Sequence, residues 1–124
     1  MNAPQRQDLE TRLVDYGARI VRLCRHLETS KAAAHVAGQL LRSGTAPLAH
    51  HGEAQDAESR RDFIHKLKLS LKELRESYRW LLLIQRAGML RKPAALDPLI
   101  AETDELIRIF VTSTKTAQRN GTSE

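Results

Sequence analysis

The sequence predicts an all-α protein that folds as an up-down-up-down four-helix bundle. Apolar residues recur at intervals of three and four along most of the chain, which is the spacing of one helix face. Short breaks separate four such stretches, a pattern typical of helices that pack side by side. With 4 prolines and 6 glycines in 124 residues, the chain has too few turn residues to favour an all-β domain. Its length is that of one domain, which we expect over residues 1–124.

The first two helices are predicted over residues 7–27 and 31–49. The apolar face of the first is formed by Leu9, Leu13, Tyr16, Ile20, Leu23 and Leu27. Ser30 is a favourable N-cap for the second. The second helix has few charges and many small residues, so we expect its neighbours to approach closely and to bury most of its sides. Pro47 is expected to kink its last turn, and the polar residues 50–57 are predicted to form a connection.

The third and fourth helices are predicted over residues 59–87 and 96–118. Gly88 is a typical residue to end the third helix, because glycine adopts the left-handed conformation readily. The fourth helix has acidic residues near its start and basic residues near its end, which suits the helix dipole. The tail, residues 119–124, is predicted to be frayed.

The surface of the third helix separates into three stripes on a helical projection. The predicted core stripe consists of Phe63, Leu67, Leu71, Leu74, Tyr78 and Leu81. Beside it lies a basic ribbon, which we define as Arg61, Lys68, Lys72, Arg75, Arg79 and Arg86. The ribbon covers about 60° of the helix surface and is roughly 37 Å long. Beyond it lies a second apolar stripe, defined as Leu69, Trp80 and Leu83 and interleaved with acidic residues that include Glu73 and Glu76.

The basic ribbon has two interpretations. Residues 55–92 carry ten basic and five acidic residues, which equals the excess of +5 for the whole chain. A concentration of this kind is typical of proteins that bind a phosphate backbone and release its counterions. The alternative is a solvated helix face that is partly neutralised by pairs such as Lys72 with Glu76. No aromatic residue interrupts the ribbon, so backbone or shape recognition is predicted rather than base stacking.

The second apolar stripe indicates that the third helix has a second partner. We predict a subunit or partner interface there, with Trp80 as its anchor and with Leu69, Leu83, Glu73 and Glu76 around it. The alternative is a wide core that covers the stripe within one chain.

Several classes of protein are excluded or disfavoured. Cys24 is the only cysteine, so disulfide frameworks and cysteine-based zinc sites are excluded. No window is apolar enough to span a membrane and the first twenty residues are rich in charge, so we expect a cytoplasmic protein without a membrane segment. His50, His51 and His65 lack the spacing of metal ligands, and no nucleophile–base pair or phosphate-binding loop is recognisable. We therefore expect no enzyme activity, no catalytic residue, no metal and no cofactor.

Several sequence segments resemble those of a known bacterial family. They are Gln39-Leu40-Leu41-Arg42-Ser43-Gly44-Thr45, Glu53-Ala54, Asp62-Phe63-Ile64 and Glu73-Leu74-Arg75-Glu76-Ser77-Tyr78-Arg79-Trp80-Leu81. Together they resemble the four-helix-bundle proteins first noticed as reading frames in intervening sequences of 23S rRNA genes. The family usually has an asparagine where this chain has His50, in a stretch that here includes Pro47.

The resemblance implies an antiparallel, left-handed four-helix bundle that assembles as a homopentameric ring. It also implies that Arg42, Ser43 and Glu53, with Glu73, Glu76 and Trp80, are structural or interface residues and not catalysts. A similar fold serves as the accessory variability protein of diversity-generating retroelements, a basic pentamer that contacts a reverse transcriptase and its RNA.

Two functions follow as hypotheses. The first is a homo-oligomer, expected to be a pentamer, whose basic ribbons bind the backbone of a nucleic acid. Structured RNA is favoured over DNA as this ligand. The second is a scaffold whose ring presents the ribbon to an acidic protein partner such as a reverse transcriptase.

Overall fold

Four long helices make up almost all of the structure, a computed structural model that describes residues 3–122, with side chains for 8–121. The elements are α1 (Ala3–His26), α2 (Lys31–Gln55), α3 (Arg60–Ala87), a short 3₁₀ helix (Pro93–Leu96) and α4 (Asp97–Thr122). The residues described contain no strand, so the predicted all-α class is confirmed. Helix α1 packs on α2 and α4, and α3 packs on α2 and α4. The up-down order, the left-handed twist and the single domain stay predictions.

The ends of the helices follow local capping rules. The Ser30 hydroxyl accepts a hydrogen bond of 3.0 Å from the backbone N–H of Ala33, as predicted for the start of α2. Ser59 caps α3 in the same way, through the backbone N–H of Asp62 at 3.0 Å. Gly88 ends α3 with φ of 69°, a conformation that residues with a Cβ rarely adopt.

Helix α2 is longer than the sequence predicts. It continues through Pro47 to Gln55, so the predicted connection over 50–57 is wrong for its first part. Two causes are visible: His51 and Ala54 lie buried on the core face, and the Glu53 carboxylate pairs with Lys66 of α3 at 2.8 Å. Burial and this ion pair stabilise a turn whose sequence is polar enough to suggest a loop.

The small residues of α2 allow close packing on one side only. A Cβ at Gly44 would lie 2.8 Å from Ile20 Cγ1, so α1 approaches the α2 backbone closely there. On the outer face, Ala34, Gly38 and Ala49 are exposed, because α2 has only α1 and α3 as neighbours. The expectation that most sides of α2 are buried is therefore wrong. Helix α4 also continues to Thr122, which corrects the prediction of a frayed tail for the residues described.

The core face of α3 is rotated from the predicted stripe because it includes two serines. The buried residues of α3 are Leu67, Ser70, Leu74, Ser77, Leu81 and Ile84, whereas Phe63, Leu71 and Tyr78 are half-buried at the margin. The Ser70 hydroxyl donates to the Lys66 carbonyl at 3.2 Å and the Ser77 hydroxyl to the Glu73 carbonyl at 3.0 Å. Since their hydroxyls are satisfied, both serines pack in the interior at little cost.

A buried polar layer joins all four helices. The hydroxyls of Tyr16 on α1 and Thr103 on α4 are 2.7 Å apart, and those of Ser43 on α2 and Ser77 on α3 are 2.8 Å apart. The Thr103 hydroxyl donates to the Leu99 carbonyl, so the Tyr16 hydroxyl donates to Thr103. Burial raises the pKa of Tyr16 to about 12, against hydrogen bonds with Thr103 and Ser77 that lower it. Because apolar packing alone tolerates shifts between helices, this layer fixes how the helices align.

Candidate nucleic-acid interface

The basic ribbon lies on the outer face of α3, opposite the core. All of its members are exposed: Arg61, Lys68, Lys72, Arg75, Arg79 and Arg86. Within residues 3–122, none of these side chains forms an ion pair with a carboxylate. The ribbon therefore presents cations to solvent that have no carboxylate in direct contact.

The nearby carboxylates of α3, Glu73 and Glu76, form their ion pairs with α2 and not with the ribbon. Arg42 Nη1 lies 2.9 Å from Glu73 Oε2, and Arg42 Nη2 pairs with Glu76 Oε2. The indole N–H of Trp80 donates to the same Glu76 oxygen at 3.0 Å. This hydrogen bond, together with Arg42, lowers the pKa of Glu76. Glu76 thus pairs with Arg42 and not with Lys72, as the alternative interpretation would require, although the charge of Lys72 also lowers its pKa.

The ribbon forms one side of an open groove between α3 and α4, with a volume of about 720 Å³. The groove is lined by Lys68, Leu71, Lys72, Arg75, Glu76, Arg79, Val111, Thr114, Lys115 and Gln118. Leu71 and Val111 are half-buried and Thr114 is buried, so these three residues form its floor, whereas the cations are exposed at its rims. Lys115, one of the basic residues near the end of α4, supplies a cation from the opposite side. No sequence signal identifies which face of α4 adjoins the ribbon, because that depends on packing.

The second apolar stripe is partly covered within the chain. Leu69 and Trp80 are half-buried, and the Trp80 ring meets His35 of α2 edge to face, with centroids 6.4 Å apart. Leu83 is 43% exposed. Arg42 and Glu73 also contact each other across the same α2–α3 seam. Much of the motif that carries the family resemblance therefore holds α2 and α3 together. Leu83 is the exposed part of the second apolar stripe.

The remaining motif residues also join these two helices. Ser43 bonds to Ser77 in the buried layer, and Glu53 pairs with Lys66. His50 is half-buried, with Nδ1 3.7 Å from Glu53 Oε1. The position where the family has asparagine thus lies beside a motif glutamate.

The described part of the chain holds no group of three or more His, Cys, Asp or Glu side chains arranged for a metal ion. The Cys24 thiol donates to the Ala37 carbonyl at 3.6 Å, and burial raises its pKa. A thiol held in its protonated form is a poor nucleophile.

His51 is a buried group with an incompletely satisfied side chain. It is 3% exposed, and its Nδ1 has no hydrogen-bond partner in the part of the chain described. Burial lowers the pKa of His51, although the charge of Glu10 on α1 raises it in part. The folded state therefore favours the neutral imidazole.

We expect the free energy of unfolding to fall as the pH drops below about 6.5, because the unfolded chain then binds a proton that folded His51 resists. Urea unfolding between about pH 7 and 5.5 measures this loss. His51→Leu should flatten the profile in this range, whereas His65→Gln, at an exposed position, should leave it unchanged. A wild-type profile that is flat across this range would contradict the expectation.

Comparisons with known proteins identify the family of the chain and a solved structure with a similar fold. The family model of the 23S rRNA-intervening sequence protein matches residues 10–112. A crystal structure from Bacteroides thetaiotaomicron VPI-5482, a protein of unknown function from the S23 ribosomal protein family, superposes with a TM-score of 0.81 and 29% sequence identity. The match covers 89% of this chain and 97% of that chain. No curated protein matches. Across the helices described, no segment is long and apolar enough to cross a membrane.

Proposed function

We propose that this chain, which belongs to the 23S rRNA-intervening sequence protein family, is a non-enzymatic homo-oligomeric bundle that binds RNA through its basic ribbon. It acts in the cytoplasm as a binding protein and contacts the sugar–phosphate backbone. Recognition through the backbone requires cations that are free to meet phosphates, and it requires no reading of base edges.

One observation carries this proposal: the ribbon is exposed and unpaired because Arg42 and Trp80 engage the carboxylates that could neutralise it. A solvated face neutralised by pairs four residues apart would instead place Glu76 beside Lys72. An array of free cations on one face gains affinity by releasing counterions from a polyanion.

Oligomerisation multiplies this charge, and the exposed apolar residues support it. Val14 and Leu41 are 48% and 40% exposed on α1 and α2, whereas Leu82 and Leu83 are 41% and 43% exposed on α3. A ring requires two different patches that meet at each contact. In the proposed pentamer, one contact includes the α2–α3 face with Leu83, and each subunit adds its ribbon to the assembly.

A second function, docking of an acidic protein partner, is favoured by the floor of the groove. Leu71 and Val111 offer apolar contacts that a polyphosphate does not require, and an acidic amphipathic helix would use both floor and rims. A reverse transcriptase would be one partner of this kind. The two functions differ in their ligand. In the first, RNA binding depends on salt and on the ribbon; in the second, binding of an acidic protein does.

The salt dependence of RNA binding tests the proposal. Protein freed of nucleic acid is titrated into a labelled RNA hairpin at several KCl concentrations, with fluorescence anisotropy as the readout. We expect the logarithm of the binding constant to fall linearly with that of the salt concentration, with a slope of about −3 or steeper, since each phosphate contact contributes about −0.7 to −0.9. No binding at the lowest salt would refute the proposal and leave the protein scaffold.

A further inference from the structure

We infer that the groove between α3 and α4 holds one sugar–phosphate strand, and that Lys115 of α4 is a binding residue on the rim opposite the ribbon. The inference rests on the proposed function and adds to it a second helix, the geometry of the bound strand and a preference for single-stranded RNA.

The charge of the groove comes from both helices. Lys68, Lys72, Arg75 and Arg79 line it from α3, and Lys115 lines it from α4. Lys115 is exposed and makes no ion pair within residues 3–122. Glu76 is the only carboxylate on the lining, and it is bound to Arg42 and Trp80. A polyanion in the groove thus meets cations on two sides.

The shape of the groove favours a single strand. The axes of packed helices are about 8–10 Å apart, a spacing narrower than a nucleic-acid duplex. Leu71 and Val111 give the floor carbon surface, and the Thr114 hydroxyl already donates to the Phe110 carbonyl. Phosphates therefore go to the rims and ribose carbons lie over the floor. The lining contains no aromatic side chain on which a base could stack, so the bases point outward and are not read.

The groove widens toward the end of the bundle where α3 begins beside the end of α4, which favours a polymer over a small anion. On one side it shares Lys115 and Gln118 with a cavity of about 380 Å³ that Arg119 also lines. On the other side it shares Lys68 with a cavity of about 420 Å³ that Arg61 and His65 also line. A small ligand would occupy one enclosed pocket, whereas an open path edged by cations suits an extended chain such as a single-stranded segment of a structured RNA.

Replacing Lys115 tests the inference, because Lys115 is the cation that α4 adds to the groove lining. We expect Lys115→Ala to weaken binding of a fluorescein-labelled single-stranded uridine 15-mer about fivefold at roughly 0.1 M KCl, and to reduce the magnitude of the salt slope by about 0.7. Arg108→Ala is the matched control, since it removes one charge from the same helix at a side chain that is 78% exposed and pairs with Asp104. This control should bind as the wild type does.

The possible outcomes separate the inference from the proposed function. If Arg75→Ala weakens binding while Lys115→Ala behaves like Arg108→Ala, the ribbon binds RNA without the α4 rim, and the inference fails while the proposed function stands. If a blunt RNA duplex of the same length binds as tightly and depends equally on Lys115, the single-strand geometry is wrong. If the wild type binds no RNA but binds an acidic amphipathic peptide through Lys115, both the inference and the proposed function fail.

Discussion

Reversal of three ribbon charges, Lys72→Glu with Arg75→Glu and Arg79→Glu, is expected to weaken RNA binding by at least about 100-fold near 0.1 M salt. Each lost phosphate contact removes a counterion-release contribution of roughly five- to eightfold at this concentration, and the new carboxylates repel the backbone as well. All three side chains are exposed and form no ion pair, and the hydrogen bond from Arg79 to the Arg75 carbonyl is exposed, so the fold and its unfolding midpoint should change little. Anisotropy titrations and urea unfolding of the same variant measure both quantities.

A matched control separates the ribbon from the net charge. Arg22→Glu with Arg25→Glu and Lys31→Glu makes the same change in charge at exposed positions on α1 and α2. We expect this variant to retain most of its affinity, because charges beyond about 8–10 Å are screened at such salt concentrations. If both triple variants lose binding equally, the protein attracts RNA by its overall charge and the ribbon has no special role.

Trp80→Ala is expected to lower the free energy of unfolding by about 2 kcal/mol. Fully buried aromatic side chains cost about 3–5 kcal/mol when truncated to alanine, and Trp80 is half-buried. Truncation removes its packing on the core, its edge-to-face contact with His35 and the N–H donor to Glu76. Trp80→Phe, which keeps much of the packing, should cost less than half as much. Urea unfolding of both variants, with light scattering in native buffer, gives stability and assembly together.

The same pair of measurements distinguishes packing within the chain from packing between chains. Leu83→Asp places a charge on the exposed part of the second apolar stripe and should dissociate the oligomer without a comparable loss of protomer stability. If Trp80→Ala instead dissociates the oligomer and leaves the unfolding midpoint unchanged, Trp80 is primarily the subunit anchor that the sequence predicts.

Much of the fold could be predicted because its determinants are local. Ser30 and Gly88 each mark a helix end by their own chemistry, and the spacing of apolar residues identifies four helices. The errors arise where tertiary packing outweighs local composition. His51 and Ala54 extend α2 because another helix buries them, and Ser77 belongs to the core because its hydroxyl has partners there.

Only the part of the candidate site that lies on α3 could be predicted from the sequence. The angular positions on α3 place the basic ribbon on one face, and the structure shows that face exposed. Whether Glu76 neutralises Lys72 or pairs with Arg42 depends on the position of α2, which no pattern within α3 encodes. The role of Lys115 could not be predicted for the same reason, since it depends on how α4 is rotated against α3.

We expect an oligomer of this chain to expose its ribbons to nucleic acid. Size exclusion with light scattering, run at low and at high salt with the 260/280 nm absorbance ratio recorded on each peak, tests it most directly. We predict a particle several times heavier than 14.0 kDa that carries nucleic acid at low salt and releases it at high salt. A particle of 14.0 kDa that is free of nucleic acid at both salt concentrations would contradict the account.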